Sequence, residues 1–144
     1  MKKSGLILIA VVVFALIIAG YMLYAPQETI EDNSQEEIAA SYVDISSPEA
    51  KELIDNNPDI IIVDVSPDYE NGHLPGAVGY YLGDGSLDEA LQTLDKEATY
   101  LVYCRFDSAS RAGAQKFIDA GFMNVYRLED HYSGWVAHGY PIEK

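Results

Sequence analysis

From Tyr42 onward, strand and helix signals alternate, which predicts an α/β domain built on a mainly parallel sheet. Two observations carry that prediction. Ile60-Ile61-Ile62-Val63 is an unbroken β-branched run, the pattern of a strand covered on both faces by helices. Helix starts then recur between such runs, with cap chemistry of their own.

The elements follow in order. Tyr42 to Ile45 reads as a first strand, and Ser47-Pro48-Glu49 opens a helix with Ser47 as N-cap, proline in the first turn and an acid behind it. Ala50, Leu53 and Ile54 give that helix one apolar face. After the Ile60–Val63 strand, Ala77 to Leu82 is expected to form a third, and Ser86-Leu87-Asp88-Glu89 is a capping-box pattern for a helix over 87–94. Thr99 to Tyr103 is the next strand. A stripe of Gly113, Phe117 and Ala120, flanked by Ala114 and Ile118, is a helix that Gly121 ends. Asn124 to Leu128 is a last short strand, and a helix carrying Trp135 as a core aromatic closes the chain.

The N-terminal part differs in kind. Lys2 and Lys3 precede an uncharged apolar run from Gly5 to Ala25. As a helix it would span about 31 Å, the thickness of a bilayer's hydrocarbon core. It is longer than the apolar region of a cleaved signal, and Leu23-Tyr24-Ala25 is a poor cleavage site. Residues 1–25 therefore read as an uncleaved transmembrane signal anchor, with its N-terminus cytoplasmic and the rest of the chain extracytoplasmic. Residues 26–41 follow as an acidic linker that begins at Pro26 and carries Glu28, Glu31, Asp32, Glu36 and Glu37 without one basic residue. Residues 42–144 are left for the single globular domain.

Composition excludes several functions. The net charge of −14 divides into +2 before the linker and −16 over residues 28–144, which repels nucleic acid. A single cysteine, Cys104, excludes an internal disulfide, a cysteine-cluster zinc site and a Cys-x-x-Cys redox pair. His131 and His138 share a helix face but have no third ligand, so no metal is expected. His73 reads as a structural hydrogen-bonding residue.

Cys104 stands where the Thr99–Tyr103 strand ends, and a helix must begin by about Ser110. In parallel sheets ligands bind at such strand ends, beside helix N-termini. The short turn through Arg105, Phe106, Asp107, Ser108 and Ala109 is expected to point backbone N–H groups inward as an anion nest. Arg105 adds positive charge. A thiolate there should be stabilised, with its pKa lowered and its nucleophilicity raised.

Three stretches resemble the rhodanese family over nearly the whole domain. Asp64-Val65-Ser66 with Tyr69-Glu70-Asn71-Gly72-His73-Leu74-Pro75-Gly76-Ala77 is similar to its first signature. Tyr103-Cys104-Arg105 and the loop beyond correspond to its active-site loop. Val125-Tyr126-Arg127-Leu128-Glu129, Trp135 and Gly139-Tyr140-Pro141 are similar to its C-terminal signature. The resemblance implies a rhodanese-like fold, a five-stranded mainly parallel sheet flanked by helices on both faces. It implies a sulfurtransferase with Cys104 as catalytic residue, carrying a persulfide. Residues Arg105, Phe106, Asp107, Ser108 and Ala109 would bind the transferred sulfur, with Ser110 and Arg111 supporting. Asp64 either orients this loop or caps a turn. The partners implied are a small sulfur donor (thiosulfate, a persulfide or a polysulfide) and a thiol or cyanide acceptor, with no cofactor. Departures from the family pattern are Asp107 where glycine is common, Ala109 where arginine or threonine is common, Ser66 for arginine, and Asp130-His131 for a glycine pair.

Two other functions compete. A non-catalytic rhodanese-like module would bind a partner or relay sulfur with a weakly reactive Cys104. A phosphatase variant of the fold needs Cys-x5-Arg, and that position holds Ser110, with Arg111 one place too late.

Overall fold

A computed structural model describes residues 41–144. The expected anchor over 1–25 and nearly all of the linker over 26–41 lie outside the described residues. Among those described, no helix is long and apolar enough to cross a membrane.

Five strands form one parallel sheet: β1 (Val43–Ile45), β2 (Ile61–Asp64), β3 (Val78–Gly79), β4 (Thr99–Tyr103) and β5 (Asn124–Leu128), in spatial order β1-β5-β4-β2-β3. Among the described residues four α-helices accompany them: α1 (Ser47–Asn56), α2 (Ser86–Ala90), α3 (Asp107–Asp119) and, after the last strand, α4 (His131–Ala137). The expected sheet and its strand number are therefore observed.

The central strand β4 shows why helices cover both faces. Its side chains alternate, so Tyr100 and Val102 face one way and Leu101 and Tyr103 the other. The first pair packs with Val63, Val65, Leu87 of α2 and Phe117 of α3. The second packs with Ile45, Leu128, Ala50 of α1 and Trp135 of α4. Cys104 continues the Tyr100–Val102 face and is buried under α3. The helix lies close because Gly113 has no side chain: a Cβ there would stand 3.0 Å from Val65 Cγ2.

Some boundaries move. Ser46, not Ser47, is the α1 N-cap, and its backbone N–H donates to the Glu49 carboxylate at 2.8 Å. The Ser47 N–H is thereby freed to reach Asp130 Oδ2 at 2.7 Å. The Ser86 capping box does not form. Gly85 caps α2 in a left-handed conformation, the Ser86 N–H donates to Asp84 Oδ1, and the helix stops at Ala90. The third strand shrinks from Ala77–Leu82 to Val78–Gly79, because only that short stretch pairs in register with Val63 and Asp64.

Candidate functional site

Residue 104 follows β4 directly, at the carboxyl end of the sheet. Helix α3 begins at Asp107 with Phe106 as its N-cap, three residues earlier than the latest start the sequence allowed. Cys104, Arg105 and Phe106 therefore make the whole turn. Asp107, Ser108 and Ala109 form the first helical turn rather than a loop. Helix geometry leaves the N–H groups of that turn without intrahelical acceptors, and the helix dipole adds positive character there.

The backbone N–H groups of Arg105 and Phe106 act on the thiol in favour of its charged form. Cys104 is 1% exposed. Burial pushes its pKa up from the ordinary thiol value; the two amides and Arg105 pull it down, and Asp64 pushes it up further. The net direction is upward. This corrects the expectation of a lowered pKa: desolvation of the thiolate outweighs the nest.

The charged side chains of the loop are turned away from the sulfur. Arg105 donates through Nη2 to the carbonyl oxygens of Asp68 (2.9 Å) and Gly72 (2.7 Å), and its guanidinium lies 3.9 Å over the Tyr132 ring. It ties the Cys104 turn to the segment that follows β2. Asp107 points outward too, accepting from Arg127 Nη1 at 2.9 Å and from Arg111 Nε at 2.8 Å. Both arginines hold its carboxyl below the usual range. Arg111 also lies 3.7 Å from Asp44.

Ser110, at the position a phosphatase would fill with arginine, is buried. Its hydroxyl donates to the Asp107 carbonyl oxygen at 3.0 Å and accepts from Arg127 Nη1 at 3.1 Å. Ser108 is exposed and Ala109 half-buried at the edge of the core beneath α3. Asp64 is fully buried. Its Oδ1 accepts the Ser66 N–H at 2.8 Å, which is a turn cap, while Oδ2 has no hydrogen-bond partner among the described residues. The Asp64 charge nevertheless acts on Cys104 and, together with burial, keeps the Tyr103 phenol neutral.

Three residues come to this site that the sequence reading did not assign to it. Arg127 of β5 has a side chain only 1% exposed and pairs with Asp44 through Nε (2.6 Å) and Nη2 (2.7 Å). An arginine two places after Val125, on the inward face of a strand, was the available signal, since a buried guanidinium demands carboxylates. The Tyr132 N–H donates to the Cys104 carbonyl oxygen at 3.1 Å, so α4 braces the turn. His131 adopts φ +61°, a left-handed conformation unusual for a side-chain-bearing residue, and its Nε2 lies 3.6 Å from Asp107 Oδ1. His131 and His138 diverge in their contacts: His138 stacks on Tyr140.

His73 has the structural role read from sequence. Its ring stacks on Tyr69, its Nδ1 lies 3.1 Å from the Tyr69 carbonyl oxygen, and its backbone pairs in both directions with Glu143.

The fold thus sets a buried cysteine at the end of the central strand, with a helix N-terminus beside it. The sequence matches the rhodanese-like domain family over residues 46–138. The chain belongs to that family. It is 37% identical over 99 residues to a protein named thiosulfate sulfurtransferase GlpE from Coxiella burnetii, covering 67% of this chain and 90% of that one. A protein of the same name from Actinobacillus pleuropneumoniae is 27% identical over 106 residues, covering 74% and 97%. Among solved structures, the rhodanese-like domain of the Alr3790 protein from Anabaena superposes with a TM-score of 0.63 at 28% identity, covering 69% of this chain and 77% of that one.

Proposed function

We propose that Cys104 carries sulfane sulfur between a donor and a thiophilic acceptor. The class, a rhodanese-type sulfurtransferase, is that of the relatives named above. The observation that carries the mechanism is the position of the single buried thiol, between the end of β4 and the N-terminus of α3, where backbone amides favour its charged form.

The Cys104 thiolate attacks the outer sulfur of thiosulfate, a persulfide or a polysulfide. A new S–S bond forms to Cys104 as the donor's S–S bond breaks, and the electron pair leaves with sulfite, a thiolate or the shortened polysulfide anion, respectively. The persulfide's terminal sulfur extends one bond beyond Sγ, toward the unpaired amides of Asp107, Ser108 and Ala109, which stabilise its negative charge. A thiol or cyanide then removes that sulfur and regenerates the thiolate, a ping-pong cycle. Because the charged side chains of the turn are engaged elsewhere among the described residues, stabilisation is assigned to backbone amides, with Arg105, Ser110 and Arg111 fixing the shape of the turn. The test is thiocyanate production from thiosulfate or polysulfide with cyanide: activity that Cys104→Ser abolishes supports the reading. Activity that survives the substitution overturns the Cys104 mechanism, and none with any donor leaves a binding module instead.

The apolar run of residues 5–25 belongs to the same proposal as a single-pass anchor, with the acidic linker holding the domain outside an anionic membrane. Retention of the full chain in membranes after carbonate extraction, with external protease cutting the domain, is the expected result. Release by carbonate would refute the anchor.

A further inference from the structure

One residue of α4 meets the Cys104 turn twice. The Tyr132 N–H donates to the Cys104 carbonyl oxygen at 3.1 Å, and the Arg105 guanidinium lies over the Tyr132 ring, 3.9 Å from its centroid. The first contact holds backbone and the second holds the next side chain.

The peptide between Cys104 and Arg105 is planar and trans, so its carbonyl and its N–H point in opposite directions and turn together. The carbonyl belongs to Cys104 and is fixed toward α4. The N–H belongs to Arg105 and is one of the two that act on the thiol in favour of its charged form. Any rotation that freed the carbonyl from Tyr132 would carry that N–H out of place.

The ring restrains the same peptide through the Arg105 side chain. Nη2 donates to the carbonyl oxygens of Asp68 and Gly72, while Nε is buried without a hydrogen-bond partner among the described residues. The Asp68 carboxylate stands 3.8 Å from that Nε, outside hydrogen-bond range. A guanidinium so placed is compensated by the negative face of an aromatic ring. Packing leaves the ring little play: a Cβ added at Gly72 would stand 2.5 Å from Tyr132 Oη. Ring, guanidinium and the Gly72 backbone form one packed unit.

Resting on the sulfurtransfer reading, we propose that Tyr132 is a positioning residue for the reaction: its N–H and its ring together lock the Cys104–Arg105 peptide in the orientation that presents the Arg105 amide to the reacting sulfur. Tyr132 touches neither donor nor acceptor in this role. It acts through the peptide and through Arg105.

Two readouts test this on the full chain, purified in a non-ionic detergent: iodoacetamide alkylation of Cys104 against pH, and thiocyanate formation from thiosulfate or polysulfide with cyanide. Tyr132→Leu removes the ring face and should move the alkylation profile up by about half a pH unit. It should also lower kcat about tenfold with KM within about twofold. Tyr132→Phe keeps the ring face and should restore both. Arg105→Met removes the group on which the ring acts, so adding Tyr132→Leu to it should cost less than about twofold more. Where the leucine variant is too unstable, Tyr132→Met fills more of the same space and serves in its place. An alkylation profile unmoved by loss of the ring overturns the proposal, as do equal losses with and without Arg105. If the unsubstituted chain turns over no donor, the sulfurtransfer reading fails, and the alkylation profiles alone decide whether Tyr132 positions the amide.

Discussion

The Arg127 guanidinium holds Asp107 Oδ1 at 2.9 Å, joining the end of β5 to the first residue of α3. Through that contact an aspartate occupies a position where glycine is common without placing its carboxylate on the sulfur. The same arginine takes Asp44 from β1, so three segments around the turn share one buried cation. The two sides of this cluster differ in exposure, which sets an order of mutational costs. Arg127→Met removes the buried charge and leaves carboxylates that water can reach, so it should cost about 1–2 kcal/mol. The double variant Asp44→Ala/Asp107→Ala strands the buried guanidinium and should cost about 3–5 kcal/mol. Urea unfolding of both variants checks the order; a larger loss in Arg127→Met would contradict it.

Acid should loosen the same cluster. Asp44 and Asp107 both have their pKa lowered, chiefly by hydrogen bonds from Arg127 and Arg111 respectively. Their contribution is present above the ordinary carboxylate pKa of about 4 and is lost as pH falls through the lowered folded values. Melting temperature should therefore fall below about pH 4, and less steeply in the double variant. Parallel curves for the two proteins would remove the cluster from the account.

Cys104 should gain reactivity as the solution is made alkaline. Its raised pKa leaves less thiolate at neutral pH than an ordinary cysteine has, so alkylation by iodoacetamide should climb through and beyond the usual thiol range. Asp64 is among the groups raising that pKa, and Asp64→Asn should move the profile to lower pH. A plateau already reached at neutral pH would show that the amides win over burial.

The backbone at His131 is strained, with φ +61°. His131→Gly should relieve roughly 1 kcal/mol of that strain, whereas His131→Ala keeps it. Thermal melts of the pair should place the glycine variant higher. Equal melting temperatures would mean that the backbone at this position carries no strain.

Close packing of α3 on β2 gives a compensating pair. Gly113→Ala should destabilise by about 1 kcal/mol, because the new methyl meets Val65 at 3.0 Å and outweighs the gain in helix propensity. Adding Val65→Ala should return part of the loss, and a double variant weaker than the sum of the singles would argue against that contact.

The sheet was legible where apolar pattern and length agreed. Thr99–Tyr103 and Asn124–Leu128 have the observed strand bounds, and Gly121, at φ +86°, follows the end of α3 as expected. Cys104 was legible because a strand end, a turn and a helix start sit around it. Its electrostatics were not: burial under α3 depends on Gly113 and Val65, which are distant in sequence. Arg127, Tyr132 and His131 come to the turn only through the β4–β5 pairing and the return of α4, contacts no local pattern announces. The Ser86 capping box failed because Asp84 and Gly85, immediately upstream, supplied a competing start.

The central claim is that Cys104 carries the sulfur in transit. Intact-mass measurement of the full chain after exposure to a sulfane donor, followed by peptide mapping, tests it most directly. The account predicts a gain of one sulfur atom on the peptide containing Cys104, absent from Cys104→Ser and discharged by cyanide. A protein that turns over donor and cyanide while Cys104 never carries sulfur would contradict it.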